Sequence, residues 1–509
     1  MLDEVLKSAA AAKSGRATHV LADDSAPGGR LQDATFGLRR QHPELSAAGG
    51  AVLWQRVAFA GVAALLLAGW LSWLEAERSL LAAILMATFI CIIAVRCLVF
   101  WTILIPSPPP TVNEPRLPDD HLPAYTVLVP MYCETEVAAQ LIRGLAALDY
   151  PADKLQILFI CEEHDVPTHS ALRHAGLAEN MRLVVVPDGQ PRTKPRALNY
   201  ALADATGDYV VVYDAEDEPE PDQLRKAVAI FRDGPPNLGC LQGHLKIYNA
   251  ERCWLTRQFA IEYAALFGFI LPAFERFGLP ITLGGTSNHF PRRVLAEVGA
   301  WDPYNVTEDA DLGIRLARFG WHVGVLPSAT WEEAPDTYRD WQHQRKRWLK
   351  GWLQTAIVHT RQPLRTAREL GPVKFAAVHV TLASMLLSAF VHPVYVLALV
   401  ASIATPGLAF DGWWWSGLIV FLAGYAASLA VALVAAQRSG HRGLERHVLA
   451  MPVYWLLISA AAYGAVYEYF VRPFHWNKTP HAGRRAAAKR SARGTPALRA
   501  PVEEVADQL

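Results

Sequence analysis

The sequence predicts an α/β domain with a mostly parallel sheet, inserted between transmembrane α-helices. Three observations predict it. Hydrophobic residues make up 52% of the 509 residues and charged residues only 19%, a greasier balance than soluble proteins carry. Apolar runs long enough to cross a bilayer flank residues 120–335 on both sides. Between them, short β-branched runs alternate with amphipathic segments, the grammar of repeated βα units and a parallel sheet. The chain is too long for one ordinary domain. Its formal net charge is zero, so no global basic field exists and nucleic acid is excluded as a partner. Six cysteines (Cys91, Cys97, Cys133, Cys161, Cys240, Cys253) show no C-x-x-C or zinc-type spacing. They read as free thiols of a reducing compartment.

Taken in order, residues 1–50 are polar, rich in Ala, Gly and Ser, and read as a flexible cytoplasmic leader without a signal peptide. Residues 51–106 hold two apolar runs, 52–75 and 79–105, joined by Glu75-Ala-Glu-Arg78. That short link predicts a helical hairpin, with Trp54, Trp70, Trp73 and Trp101 at interfacial depth. Ile105-Pro-Ser-Pro-Pro-Pro110 then opens a linker. The soluble domain, 120–335, begins with strand 125–130, helix 136–148 and strand 155–161. Helix 170–179, strand 181–186, helix 194–205 and strand 209–213 follow. Residues 253–271 are apolar but carry Arg257 and Glu262, so they read as a domain–membrane helix. Residues 336–365 mix Arg345, Lys346, Arg347 and Lys350 with Trp341, Trp348 and Trp352, the pattern of an amphipathic helix lying on a membrane surface.

The region 372–472 contains apolar stretches at 374–403, 413–436 and 448–471, and His392-Pro393 is expected to break the first. Basic residues follow both the second stretch (Arg438, Arg442, Arg446) and the third, in the tail 473–509. The positive-inside rule wants both on the cytoplasmic side, which one span between them cannot satisfy. Either the first stretch is a broken pair or the third is re-entrant. An even number of spans before the soluble domain makes that domain cytoplasmic.

Chemistry concentrates where the strand starting at Tyr209 runs into Asp214-Ala-Glu216-Asp217. A hydrophobic strand delivering carboxylates at its C-terminal end is where α/β sheets place their sites. Asp214 and Glu216 are hard oxygen ligands of the kind that hold Mg²⁺ or Mn²⁺ against a diphosphate. An acidic solvated loop is the plain alternative, and the rest of the chain decides.

Four motifs in order, Asp214-Ala-Glu216, Gly284-Gly-Thr-Ser287, Thr307-Glu-Asp309 and Gln344-Arg-Lys-Arg347-Trp348, resemble the family 2 glycosyltransferases of GT-A fold. The likeness is to the membrane-embedded cellulose, hyaluronan, chitin and curdlan synthases, and covers roughly residues 120–360. It implies a Rossmann-like domain that binds a nucleotide-sugar donor, a UDP-sugar first. It implies Asp309 as the base that takes the acceptor hydroxyl's proton in an inverting transfer. Pro130, Tyr132 and Glu134, with Glu162 and Glu163, are expected to edge the nucleoside pocket. Lys194, at a helix N-terminus, is expected to face phosphate oxygens. Asp214 and Glu216 take the metal, with glutamate where the family's motif more often has a second aspartate. Gly285, Thr286, Ser287, Glu308, Gln344, Arg347 and Trp348 are expected on the acceptor and diphosphate side. Gln242 and Trp301-Asp302 are expected to line the same region, and the Trp476–His481 segment to loop near it.

The resemblance implies processive extension of a β-linked exopolysaccharide at a bacterial inner membrane. His379, His392, Tyr395, Tyr425, Tyr454, Trp455 and Tyr463 are then candidates for an export path through the chain's own helices. The alternative is single-sugar transfer to a glycolipid or polyprenyl phosphate. A non-enzymatic receptor or export subunit with a degenerate domain is the third reading. Partners implied are the donor, a growing glycan or lipid acceptor, membrane lipids and an export or regulatory protein.

Overall fold

The computed structural model describes residues 27–71, 75–105, 117–404 and 412–476. The expected linker at 106–116, Trp73 and the tail from 477 onward lie outside the described residues, as does the leader up to residue 26.

One eight-stranded sheet organises the soluble part. Its strands are β1 (Tyr125–Met131), β2 (Leu155–Glu162), β3 (Met181–Val186), β4 (Tyr209–Val212), β5 (Glu218–Pro219), β6 (Leu238–Ile247), β7 (Asn288–Pro291) and β8 (His322–Glu332). The order across the sheet is β3-β2-β1-β4-β7-β6-β8-β5. The half β3-β2-β1-β4 is wholly parallel, with Val127 opposite Ile157 and Val211. β7 runs antiparallel between β4 and β6, and β6 pairs parallel with β8.

Parallel strands bury both faces, and the sequence supplies continuous β-branched runs to do so. On β1, Leu128 points into one core with Leu158 and Val210. Val127 and Val129 point into the other with Ile157 and Val211. Each fully buried aliphatic contributes about 1.5–3 kcal/mol, so β4, buried along Val210-Val211-Val212, is firmly seated. Its end, where Asp214 follows, is therefore a fixed point.

The helices used below are α1 (Pro27–Gln41), α2 (Leu53–Leu71), α3 (Glu75–Leu104), α4 (Ala138–Ala146), α5 (Val166–Ala175), α6 (Lys194–Leu202), α7 (Gln223–Asp233), α8 (Trp254–Ala265), α9 (Leu271–Arg276), α10 (Arg292–Glu297), α11 (Glu308–Arg318), α12 (Tyr338–Thr360), α13 (Pro363–Ala404), α14 (Gly412–Arg438) and α15 (Met451–Val471). Among the described residues, four segments are long and apolar enough to cross a membrane: Met86–Leu104, Pro363–Ala401, Trp415–Arg438 and Leu444–Val471.

Three expectations are corrected. Residues 27–50 are not a loose leader. They form α1 and two short turns anchored on the sheet domain, with Arg30 paired to Asp204 at 2.8 Å and Leu38 buried. Pro393 does not break its helix. The non-helical residue in α13 is Gly371, at φ 72°, a left-handed conformation that glycine adopts without a Cβ penalty. Finally, α12 does not spread its cations over a surface. Trp341 and Lys350 are fully buried and Arg345 nearly so. Lys350 donates to the backbone oxygens of Arg472 (3.2 Å) and His475 (2.7 Å). An apolar stem with a captured ammonium satisfies burial better here than snorkelling does.

Candidate active site

The C-terminal strand ends, α6, α11 and α12 enclose a cavity of about 920 Å³. Pro130, Tyr132, Glu134, Glu162, Lys194, Asp214, Glu216, Gly285, Thr286, Glu308, Asp309, Gln344, Arg347 and Trp348 all line it. Two expected residues do not. Glu163 is exposed, its carboxylate accepting from the Asp188 amide. Ser287 is fully buried, its hydroxyl on that of Thr330. Gln242, Trp301 and Asp302 are not in its wall either. Gln242 braces the Gly284–Thr286 turn through Gly284 N–H and Thr286 O.

Asp214 and Asp309 come from elements far apart in sequence and meet across Gly285. A Cβ at Gly285 would lie 3.3 Å from Asp309 Oδ2 and 4.0 Å from Asp214 Oδ2. A glycine here keeps the space between two carboxylate oxygens open. Lys194, the first residue of α6, reaches into the same spot. Its ammonium pairs with Asp214 Oδ1 and donates to Gly285 O at 2.7 Å. Burial opposes its charge, but Asp214 and Glu308 outweigh burial and hold its pKa above the usual lysine range.

Burial raises the pKa of both acids at the start of α11. Glu308, beside Asp309, is pushed up to about 7. Asp309 is raised as well, offset by the Ala310 amide, Lys194 and Arg347. Thr307 does not cap α11. Asp309 Oδ1 accepts from the Ala310 amide at 2.7 Å instead. Two turns of helix fix this end from behind. Buried Asp311 pairs with Arg315 at 2.8 Å and with His359 of α12 at 3.0 Å.

Arg345 and Arg347 share α12 but not a fate. Arg345 is spent on structure, with bidentate bonds to Glu262 at 2.7 and 2.6 Å and one to Tyr454 at 2.8 Å. Its guanidinium lies 4.5 Å from the Trp348 ring centroid. Arg347 faces the cavity and lies 5.4 Å from the Trp476 ring. Its Nε is buried with no partner among the described residues, and burial lowers its pKa. Its Nη1 lies 3.5 Å from Val306 O.

At the end of β2, Glu162 is bonded to fully buried Arg196 at 2.5 Å. Burial raises its pKa and Arg196 opposes the rise. Glu162, His164 and Asp188 offer ligand atoms within 4.8 Å of one another, but Arg196 already claims Glu162. The pair Asp214 and Glu216, both on the cavity, offers only oxygen ligands, the donor set of a hard divalent cation, with Lys194 on Asp214 Oδ1. Asp217, buried behind them, instead accepts the Asp214 amide at 2.7 Å and the Thr286 hydroxyl.

Sequence reasoning missed several wall residues. Glu332 and Glu333 at the end of β8, Glu262 and Tyr263 on α8, and Arg472–His475 after α15 all line the cavity. The one acid of the apolar run 253–271, Glu262, was the available signal, since a carboxylate among apolar residues needs a partner. Trp476 was expected near the site and does line it.

The sheet, the strand-end acids and the apolar helices define a GT-A-like domain carried on helices able to cross a membrane. Residues 209–435 match the family model described as glycosyl transferase family group 2. The chain is 30% identical over 266 residues to the β-monoglucosyldiacylglycerol synthase of Synechocystis, covering 50% of this chain and 55% of the relative. It is 27% identical over 257 residues to the poly-β-1,6-N-acetyl-D-glucosamine synthase of Staphylococcus aureus, covering 50% and 61%. The chain thus spans little more than half the length of these curated relatives. A mannosyltransferase of Pyrobaculum calidifontis, solved with GDP-Man and Mn²⁺, shares the fold with a TM-score of 0.51 at 21% identity, over 75% of this chain and 99% of that one.

Proposed function

We propose that this protein is an inverting glycosyltransferase working at a membrane surface, with the sheet domain on the cytoplasmic side of a bacterial inner membrane. Asp309 removes the proton from an acceptor hydroxyl. That oxygen attacks the anomeric carbon, the bond to the diphosphate breaks, and a nucleoside diphosphate leaves. Lys194 and Arg347 face the leaving phosphates, where cations stabilise developing charge. Pro130, Tyr132, Glu134 and Glu162 edge the nucleoside, a uridine in this reading, and Trp348 borders the acceptor. Asp214 and Glu216 would hold Mg²⁺ or Mn²⁺, which when bound neutralises diphosphate charge.

The observation that carries this reading is the convergence of Asp214, Asp309 and Lys194 on Gly285. Extension of a chain exported through the protein's own helices has less support. Several side chains named for such a path are engaged within the protein, Tyr454 with Arg345 and Glu262. His379 bonds Phe375 O and Tyr463 donates to Phe390 O. The test is nucleotide release by the full chain from UDP-glucose, UDP-N-acetylglucosamine, UDP-galactose and GDP-mannose with Mg²⁺ or Mn²⁺. One donor is expected to turn over, and Asp309→Asn is expected to lower its turnover about 10³-fold, within the usual range for a general base, with donor binding retained. Equal turnover by Asp309→Asn would refute the assignment.

A further inference from the structure

The cavity has a second end. Beyond Trp348 its wall becomes Leu349 and Trp352 of α12, Met385 of α13 and Ile458 of α15. Met385 and Ile458 lie within segments apolar enough to cross a bilayer. Among the described residues they are the only side chains of those segments in the wall. Neither carries a hydroxyl, an amide or a charge.

The space deeper between these helices is filled. His392 bonds Tyr425. The Phe421 and Tyr425 rings are 4.4 Å apart, Tyr395 and Phe421 5.0 Å, and Tyr425 and Trp455 5.1 Å. Where α12, α13 and α15 meet, Leu349 packs on Ala389, Ala461, Ala462 and Ala465. Small residues there let the helix backbones approach closely.

A polysaccharide crossing the membrane carries hydroxyls along its whole length and needs polar partners throughout. A lipid needs them only at its head group. We infer that the acceptor is a hydroxyl-bearing lipid: its head group enters toward Asp309, and its acyl part leaves the cavity past Trp352, Met385 and Ile458 into the bilayer. This rests on the transferase reading above and names its acceptor. Asp309 takes the lipid hydroxyl's proton, the new bond joins that oxygen to the sugar, and the nucleoside diphosphate departs.

The test uses the full chain in phosphatidylcholine nanodiscs containing diacylglycerol, with the radiolabelled nucleotide sugar that supports release. Label is expected in the organic phase as a single-sugar lipid. Met385→Trp and Ile458→Trp, which narrow the exit, are each expected to raise the KM for diacylglycerol at least tenfold, with donor affinity as the folding control. Label in a water-soluble product that lengthens with time would overturn the inference. So would nucleotide release with no organic-phase product, or an unchanged KM in both variants. Absence of release from every donor overturns the transferase reading itself, and the acceptor assignment with it.

Discussion

The two ends of the cavity are built by different means. At the sheet end, polar groups hang from the ends of strands and the starts of helices, so backbone geometry places them. Asp214 follows a strand buried on both faces, and Asp309 sits in the first turn of α11. At the membrane end, side chains of α8, α12, α13 and α15 place one another by contact. Arg345 shows the difference. It lies two residues from Arg347, yet it bonds Glu262 and Tyr454 and packs on Trp348. At the sheet end Lys194 and Asp214 pair in the cavity wall, whereas Arg345 is bonded from one helix to another through Glu262.

That contrast is sharpest in what substitutions do. Arg345→Met leaves Glu262, whose side chain is 31% exposed, with the Tyr454 hydroxyl but without its charge partner, and losing charge-assisted hydrogen bonds costs about 1.5–3 kcal/mol. The expected result is a large fall in thermal stability in detergent, with residual activity tracking the folded fraction. A stable Arg345→Met protein with specific activity lost would place Arg345 with the chemistry instead. Lys194→Met also breaks a pair, with Asp214, but here a rate loss beyond the folded fraction is expected, since removing one preorganised cation typically costs about 10²-fold. Lys194 is among the groups holding Asp309 down. Without it the Asp309 pKa rises, so the base stays protonated to higher pH. The acid limb of the pH–rate profile should therefore move to higher pH, and a shift the other way would contradict the proposed pairing.

Gly285→Ala tests the sheet end more gently. The added methyl would stand 3.3 Å from Asp309 Oδ2, closer than an unstrained carbon–oxygen contact. A rate loss of about tenfold, or 1.4 kcal/mol, is expected if Asp309 must shift by a few tenths of an ångström. Stability should hold. Full activity would mean that the two carboxylates need no open space between them.

The sheet end was legible in the sequence because its signals are local. A β-branched run ending in Asp214-Ala-Glu216 announces a buried strand and its acidic end within a few residues. Thr307-Glu-Asp309 announces a helix start in the same way, though the Thr307 side chain makes no cap hydrogen bond. The membrane end was much less legible. Lys350 and Arg345 read as surface cations because their partners, Glu468 and Glu262, come from elements with no periodic relation to α12. Pro393 looked like a breaker, yet α13 continues through it and turns at Gly371 instead. Glu163 and Ser287 sit beside true wall residues but face away, because Glu163 lies in the turn after β2 and Ser287 has a positive φ of 54°.

The segment 27–50 is the extreme case, because its polar composition gives no local signal and its partners are remote. Ser46 donates to Asp302 at 3.1 Å across a separation of 256 residues, and the Ala47 amide reaches the same carboxylate at 2.5 Å. Arg361, at the end of α12, donates to the backbone oxygens of Ser46 (2.8 Å) and Gly50 (2.8 Å). Asp302 precedes the loop that delivers Thr307-Glu308-Asp309, and Asn199 of α6 donates both to Ala34 O at 3.1 Å and to Trp301 O at 2.8 Å. The strap therefore touches both the helix that carries Lys194 and the approach to Asp309. Ser46→Ala removes one donor from a buried carboxylate and should cost about 1 kcal/mol. The expected reading is a melting temperature lower by a few degrees, with kcat for the preferred donor barely changed. If kcat falls well beyond what the lost stability accounts for, the strap positions the catalytic acids, and the boundary of the site extends to α1.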